Sequence, residues 1–170
     1  RPERTRRRDI LSSRHEGSIL FSDIGCYTLG VMPPYRAVHS CVDMGASISM
    51  AHGAARAGVR PVLCTIGDST FSHSGMTGLI SAASSDADMT VFVFDNATTA
   101  MTGAQESLTT GQRLIDVLRG LGVNDDHLHV IDPHKKHHAE NVALIQREID
   151  HRGLSVIVPN RECIHLKGKK

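Results

Sequence analysis

Short apolar runs alternate along this chain with longer segments whose apolar residues recur at helical spacing. The apolar runs predict β-strands at 19–24, 61–66, 90–94, 129–131 and 154–158. The longer segments predict helices at 47–58, 74–84, 111–121 and 139–152. This succession of β-α-β units indicates an α/β fold with three layers, α/β/α, around a mostly parallel central sheet.

Polar and glycine-rich pairs follow three of the predicted strands. Ligands of open parallel sheets bind at the carboxyl ends of the strands. We therefore expect the functional site at these pairs, which are Gly25-Cys26, Gly67-Asp68 and Asp95-Asn96.

The composition is that of an ordinary globular protein, and the charge excludes two classes of binding partner. Of the 170 residues, 40% are hydrophobic and 22% charged, with a net charge of +1, so neither nucleic acid nor a membrane is an expected partner. No apolar run reaches the length of a membrane helix, and no signal-peptide core follows the basic N-terminus. The expected location is the cytoplasm.

The four cysteines are scattered and form no C-x-x-C pair. This spacing argues against a zinc site or an iron–sulfur cluster held by this chain alone. We expect free thiols in a reducing compartment.

The arginine-rich start predicts a tail or linker outside the folded unit. We expect a basic N-terminal tail or linker at 1–18, one folded domain at 19–163 and a C-terminal tail at 164–170.

The segment 67–70, Gly-Asp-Ser-Thr, combines a carboxylate with the amides that open a helix. Such amides bind anions. A carboxylate beside an anion site would repel the anion, so this arrangement indicates a cation that lies between them. Mg²⁺ fits, because it prefers one or two protein oxygens together with phosphate oxygens. Asn96, at the next strand end, is the candidate for a second oxygen, and a backbone carbonyl near Thr98 could complete the set. A strand-to-helix turn capped by Asp68 or Ser69 is the simpler alternative.

Two other functions are open on the residues alone. A serine hydrolase would use Ser69 with Asp132 and His134, but the spacing of these residues is unlike that of the usual hydrolase motif. This function would also leave Asn96 without a role. A metal-binding module would use the histidines between 127 and 138. The simpler interpretation is that these histidines are solvated surface residues.

Four motifs resemble a known family. They are D-I-G-C-Y-T-L-G (23–30), M-G-A-S-I (44–48), I-G-D-S-T-F-S-H-S-G (66–75) and D-N-A-T-T-A-M-T-G-A-Q (95–105). Together they resemble the thiamin-diphosphate domain of the indolepyruvate:ferredoxin oxidoreductase large subunit, in the 2-oxoacid:acceptor oxidoreductase family. Ser69 replaces the second glycine of the general G-D-G thiamin motif but fits this subfamily. The resemblance implies the thiamin-diphosphate-binding fold.

The resemblance also implies roles for individual residues. Mg²⁺ would be bound by the side chains of Asp68 and Asn96 and the carbonyl of Thr98. The diphosphate would be held by Ser69, Thr70 and His73. The remaining expected cofactor contacts are Gly25, Cys26, Gly67, Met44, Gly45, Ala46, Met101 and Thr102. Within this set, Met44 would support the bent cofactor, and Met101 and Thr102 would cover the thiazolium.

Purely structural roles are the alternatives for four of these side chains. Met44 and Met101 could be ordinary core residues, Cys26 a small buried hydrophobe and His73 a helix cap or surface residue.

The implied reaction is oxidative decarboxylation of a 2-oxoacid, indolepyruvate or another arylpyruvate, to acyl-CoA, with electrons passed to ferredoxin. The resemblance places the activating glutamate on a complementary thiamin-fold domain, and iron–sulfur clusters on a missing region or partner. It therefore implies a homo- or hetero-oligomer, with no catalysis by this chain alone. Alternatives are a subunit of a non-oxidative thiamin-dependent 2-oxoacid decarboxylase and a non-catalytic interaction module of the same fold.

Overall fold

A computed structural model describes residues 17–99, 103 and 105–163. Its main sheet has five strands, all parallel, in the order β1-β2-β3-β7-β6. These strands are β1 Ile19–Ser22, β2 Val62–Gly67, β3 Met89–Phe94, β6 Leu128–Ile131 and β7 Leu154–Pro159. Two short antiparallel strands, β4 Thr98–Thr99 and β5 Gln105–Glu106, form a separate pair. The predicted parallel sheet is confirmed.

Four helices connect the strands. They are α1 Ala46–Arg56, α2 at 68–84, α3 Gly111–Gly120 and α4 His138–Asp150. The predicted start of the second helix at Ser74 is wrong, because α2 follows β2 without a loop. It consists of an α-helical turn Asp68–Thr70, a π-helical turn Phe71–Gly75 and an α-helix Met76–Ser84. Its polar first turn resembles a loop in sequence, although polar residues suit the unpaired amides of a helix start.

Two apolar layers cover the sheet. On one face α1, α2 and α3 contribute buried residues such as Ile48, Leu79 and Leu114. On the other face Ile145 and Ile149 of α4 pack against the sheet. The 3₁₀ helix Cys26–Val31 and the segment after it also lie on this second face, where Tyr27 and Tyr35 pack. The expected three-layer α/β/α arrangement is confirmed.

Statements about the chain termini and about membrane-spanning helices are limited to the described residues. Residues 1–16 and 164–170 lie outside the described residues, so the expected domain boundaries stay predictions. Within the described residues, no helix has the length and apolar character that crossing a membrane requires.

Candidate functional site

The carboxyl ends of β1, β2 and β3 meet at one edge of the sheet because the three strands are parallel neighbours. Asp68 follows β2, and Asn96 lies two residues after β3. The hydroxyls of Ser69 and Thr99 are 2.7 Å apart, which joins the start of α2 to the loop after β3. The structure therefore brings together the two segments that carry the predicted magnesium residues.

The Asp68 carboxylate is buried, with 2% of the residue exposed. Its Oδ1 accepts a hydrogen bond from the Ser69 amide at 2.9 Å. Its Oδ2 has no hydrogen-bond partner among the described residues. Burial raises the pKa of Asp68 to about 6, and the nearby charge of Asp95 adds to the increase. A buried charged oxygen without a partner is costly, and a bound cation would remove that cost.

The Asn96 side chain lies at a tight turn. Its Oδ1 accepts a hydrogen bond from the Thr98 amide at 3.1 Å, and Ala97 between them has a φ of 61°. A non-glycine residue in this left-handed region costs energy and is often found where function fixes the backbone. Thr98 is 3% exposed, and its hydroxyl donates to the Gln105 carbonyl at 2.9 Å. The β4–β5 pair thus fixes the loop that carries both predicted ligands.

Asp95 has a structural role, although it precedes Asn96 directly. Its Oδ1 accepts from the Ala97 amide and the Thr110 hydroxyl, at 3.2 and 2.9 Å. Its Oδ2 accepts from the Gly111 amide and the Asn160 amide group, at 2.8 and 2.7 Å. The carboxylate therefore connects β3 to the start of α3 and to the end of β7.

The loop after β1 reaches the same edge. Gly25 precedes the 3₁₀ helix Cys26–Val31, and a Cβ at Gly25 would collide with the Tyr27 ring. The Tyr27 hydroxyl accepts a hydrogen bond from the Gly67 amide at 2.9 Å. Its ring stacks on Phe94 with centroids 5.0 Å apart. Tyr27 therefore fixes the tips of β2 and β3, which precede Asp68 and Asn96.

The Met44–Gly45 turn leads into α1, whose first residue is Ala46. Met44 is 50% exposed, so the core-packing alternative for this residue is wrong. Thr70 is buried in the first turn of α2, while His73 is exposed in the π-helical turn. Cys26 is partly exposed, so it is not simply a buried hydrophobe. Met101 and Thr102 lie outside the described residues.

Comparison with known proteins identifies the fold and the family. A family profile for the thiamine pyrophosphate enzyme, C-terminal TPP binding domain, matches residues 23–158. The chain belongs to this family. The Gly67–Thr70 segment and Asn96 therefore lie within a thiamine pyrophosphate domain.

Curated relatives of this thiamine pyrophosphate domain carry the name indolepyruvate oxidoreductase subunit IorA. The chain is 36% identical over 152 residues to the Archaeoglobus fulgidus protein, covering 84% of this chain and 24% of the relative. It is 36% identical over 169 residues to the Pyrococcus horikoshii protein, covering 86% and 26%. The chain thus spans about a quarter of these relatives' length. The predicted resemblance is confirmed.

Solved structures support the same fold for this thiamine pyrophosphate domain. A Magnetococcus marinus 2-oxoglutarate:ferredoxin oxidoreductase superposes with a TM-score of 0.79 at 17% identity, covering 95% of this chain and 62% of that chain. A benzoylformate decarboxylase from Polynucleobacter necessarius gives 0.71 at 15% identity, covering 95% and 33%. The expected thiamin-diphosphate fold is confirmed.

Two residues of the domain's carboxyl edge have roles that the motif at 23–30 does not reveal. The contact of Tyr27 with Gly67 spans 40 positions. Asp23 follows β1 and is 0% exposed. A signal for Asp23 existed, because a carboxylate directly after an apolar strand is the pattern that singled out Asp68.

The two rival functions find little support in the geometry. Ser69 pairs with Thr99, whereas Asp132 and His134 follow β6, which is separated from β2 by β3 and β7. Three strand spacings amount to about 14 Å, too far for a catalytic triad. The described residues contain no group of three or more His, Cys, Asp or Glu that could hold a metal ion.

The expectation of simply solvated histidines is wrong at two positions. His127 Nδ1 and His129 Nε2 each lie 2.9 Å from an oxygen of Glu148, which is buried. These histidines belong to a structural cluster at the opposite edge of the sheet.

Proposed function

We propose that this chain binds Mg²⁺ and thiamin diphosphate as the cofactor domain of a 2-oxoacid oxidoreductase that acts on indolepyruvate or another arylpyruvate. The observation that carries the proposal is the buried Oδ2 of Asp68, which has no hydrogen-bond partner among the described residues. Mg²⁺ suits this oxygen, because it is a hard cation that accepts carboxylate, amide and carbonyl oxygens. The family and the curated relatives support the cofactor and the reaction class.

The residues at the strand ends suit the two halves of such a ligand. Asp68, the side chain of Asn96 and the carbonyl of Thr98 would hold Mg²⁺. The first amides of α2, with the hydroxyls of Ser69 and Thr70, would hold the diphosphate, because a helix start favours anions. The Ser69–Thr99 hydrogen bond supports this arrangement by fixing the two loops relative to each other.

Bound thiamin diphosphate supplies the carbon nucleophile and the electron acceptor that decarboxylation of a 2-oxoacid requires. The residues of this chain would bind, orient and cover the cofactor. Met44, which is exposed next to the start of α1, would support the cofactor rings, and Gly25 and Cys26 in the loop after β1 would lie close to the cofactor. In the full enzyme, CoA would accept the acyl group and ferredoxin the electrons.

Exposed apolar side chains in the segment between β1 and α1 support a partner domain. Monomeric proteins seldom expose many large apolar side chains together. The exposed residues here include Ile24, Leu29, Val31, Met32 and Val42, at 48–68% exposure. We propose that a complementary thiamin-fold domain covers these side chains, supplies the activating glutamate and makes the working enzyme a homo- or hetero-oligomer. Iron–sulfur clusters would reside outside this chain.

A reducing compartment suits the four cysteines, which form no disulfide bond among the described residues. We therefore propose that the protein works in the cytoplasm.

Isothermal titration with thiamin diphosphate tests the cofactor proposal. The wild-type chain should bind in the presence of Mg²⁺ and lose measurable affinity when Mg²⁺ is chelated. Asp68→Ala should weaken binding by about 100-fold or more, because it removes the carboxylate that holds the metal. Asp116→Ala is the matched control, since this exposed carboxylate lies on α3. Equal affinity in Asp68→Ala and the wild type would contradict the proposal.

The need for a partner has its own test. The purified chain, mixed with thiamin diphosphate, Mg²⁺ and an arylpyruvate, should release no CO₂ above the uncatalysed rate. Turnover should begin when the complementary domain is added. Steady decarboxylation by the lone chain would refute the partner requirement while leaving cofactor binding intact.

A further inference from the structure

Asp23 is a second buried carboxylate at the carboxyl edge of the sheet. It follows β1 directly and is 0% exposed. Its Oδ1 accepts a hydrogen bond from the Ser47 amide in the first turn of α1, at 3.0 Å. Its Oδ2 is buried and has no hydrogen-bond partner among the described residues. Burial raises the pKa of Asp23, and the backbone and side chain of Ser47 oppose this increase.

The helix that Asp23 contacts has no capping side chain of its own. Its N-cap residue is Gly45, which has a φ of 92° and makes no side-chain cap hydrogen bond. A carboxylate beside a helix start is stabilised by the helix dipole and by the unpaired amides. Asp23 therefore takes the place of the N-cap side chain that Gly45 lacks.

The other side of this turn rests on α2. The Ser74 hydroxyl donates to the Met44 carbonyl at 3.0 Å, and a Cβ at Gly45 would collide with that hydroxyl. The Met44–Gly45 turn is thus fixed between the end of β1 and the π-helical turn of α2. Its Met44 side chain remains half exposed at the edge that carries Asp68.

From this geometry we infer that Asp23 is a positioning residue: it fixes the Met44–Gly45 turn so that Met44 is placed against the ring portion of the cofactor. The inference rests on the proposed function. Asp23 contacts α1, whereas the diphosphate and Mg²⁺ would be held by Asp68, Ser69 and the loop after β3. Loss of Asp23 should therefore affect recognition of the rings and spare recognition of the diphosphate.

Two ligands separate these effects. Thiamin diphosphate with Mg²⁺ probes the whole site, and inorganic pyrophosphate with Mg²⁺ probes the diphosphate portion alone. In Asp23→Ala the Kd for thiamin diphosphate should rise about tenfold, a size typical of lost supporting contacts. The Kd for pyrophosphate should change less than about twofold. Asp43→Ala is the matched control, because Asp43 is an exposed carboxylate one position before Met44.

A double-mutant cycle tests whether Asp23 acts through Met44. Met44→Ala should also raise the Kd for thiamin diphosphate selectively. In the Met44→Ala background, removal of Asp23 should have little further effect, because coupled residues are not additive. Fully additive effects would overturn the inference.

Asp23→Asn covers the case in which Asp23→Ala does not fold, since asparagine keeps an acceptor for the Ser47 amide. It should show a smaller change in the same direction, confined to thiamin diphosphate. Equal losses for both ligands would mean that Asp23 only supports the fold, and unchanged affinities would mean that it has no role in binding. A wild-type chain that binds neither ligand would instead refute the proposed function itself.

Discussion

Asp68 at the carboxyl edge of the sheet and Glu148 at the amino edge are both 2% exposed, yet their surroundings differ. Asp68 keeps one buried oxygen without a partner among the described residues, and burial raises its pKa to about 6. Glu148 is surrounded by partners. Burial alone would raise the pKa of Glu148, but hydrogen bonds from His127, Ser155 and Arg147, with His129 nearby, lower it to about 2.

The difference separates the proposed binding edge from a structural edge. Glu148 connects the end of α4 to the starts of β6 and β7, with the Ser155 hydroxyl at 3.0 Å and His127 Nδ1 at 2.9 Å. The His127 ring also stacks on His151. A fully partnered buried charge is part of the fold, whereas an unpartnered one marks a place where a ligand completes the structure.

Replacing Glu148 should give the largest loss of stability. Glu148→Ala should lower the free energy of unfolding by about 3 kcal/mol, because it removes the shared partner of two partly buried histidines. Urea denaturation monitored by circular dichroism measures this change. Glu140→Ala is the control on the same helix, since that side chain is 80% exposed, and its effect should stay within about 0.5 kcal/mol. Similar small effects for both variants would remove the structural half of the comparison.

The pH dependence of stability should follow the Glu148 pKa. Its pKa is about 2 in the fold against an ordinary value of 4.5. A depressed acidic pKa gives stability that is present above pH 4.5 and is lost as the pH falls towards 2. The difference in unfolding free energy between the wild type and Glu148→Gln should therefore shrink by about 2 kcal/mol over this range, because solvent screens the partly exposed partners His127 and Arg147. A difference independent of pH would show that the charge of Glu148 contributes nothing.

Asp68 should respond in the opposite sense. Without Mg²⁺, Asp68→Asn should raise the free energy of unfolding by about 1.5 kcal/mol, because it removes an incompletely solvated buried charge. Mg²⁺ with thiamin diphosphate should stabilise the wild type and leave the variant unchanged. Thermal and urea unfolding with and without the ligands measure both effects.

Asp95→Asn is the matched control for that prediction, since Asp95 adjoins the same site but uses both oxygens in hydrogen bonds. It should destabilise the chain. If Asp68→Asn destabilised the chain as Asp95→Asn does, Asp68 would be a structural residue and the contrast with Glu148 would fail.

The sequence predicts the sheet and singles out Asp68 as a candidate site residue, because both are marked by local patterns. Buried parallel strands are continuous apolar runs, and a carboxylate directly after such a run stands out. The start of α2 escaped prediction because the polar residues 68–70 suit a loop and a helix start equally. Only the continuous backbone from β2 into the π-helical turn distinguishes the two.

The contacts that escaped prediction join residues distant in sequence. Tyr27 reaches Gly67 across 40 positions, and Asp23 reaches Ser47 across 24. Glu148 resembles any polar residue of an amphipathic helix, and its histidines resemble surface residues, until the packing of α4 brings them together. No local pattern encodes such pairs, because the sheet order creates them.

Tyr27→Phe should give the smallest change and sharpen the view of the binding edge. The phenylalanine keeps the ring on Phe94 but leaves the Gly67 amide without its acceptor, at a cost of about 1 kcal/mol. Tyr35→Phe is the control, because Tyr35 packs against the same apolar layer. Because Gly67 precedes Asp68, the Kd for thiamin diphosphate should rise a few-fold, by roughly the same free energy at most. A loss of stability without any change in Kd would show that the tip of β2 need not be fixed by Tyr27 for the cofactor to bind.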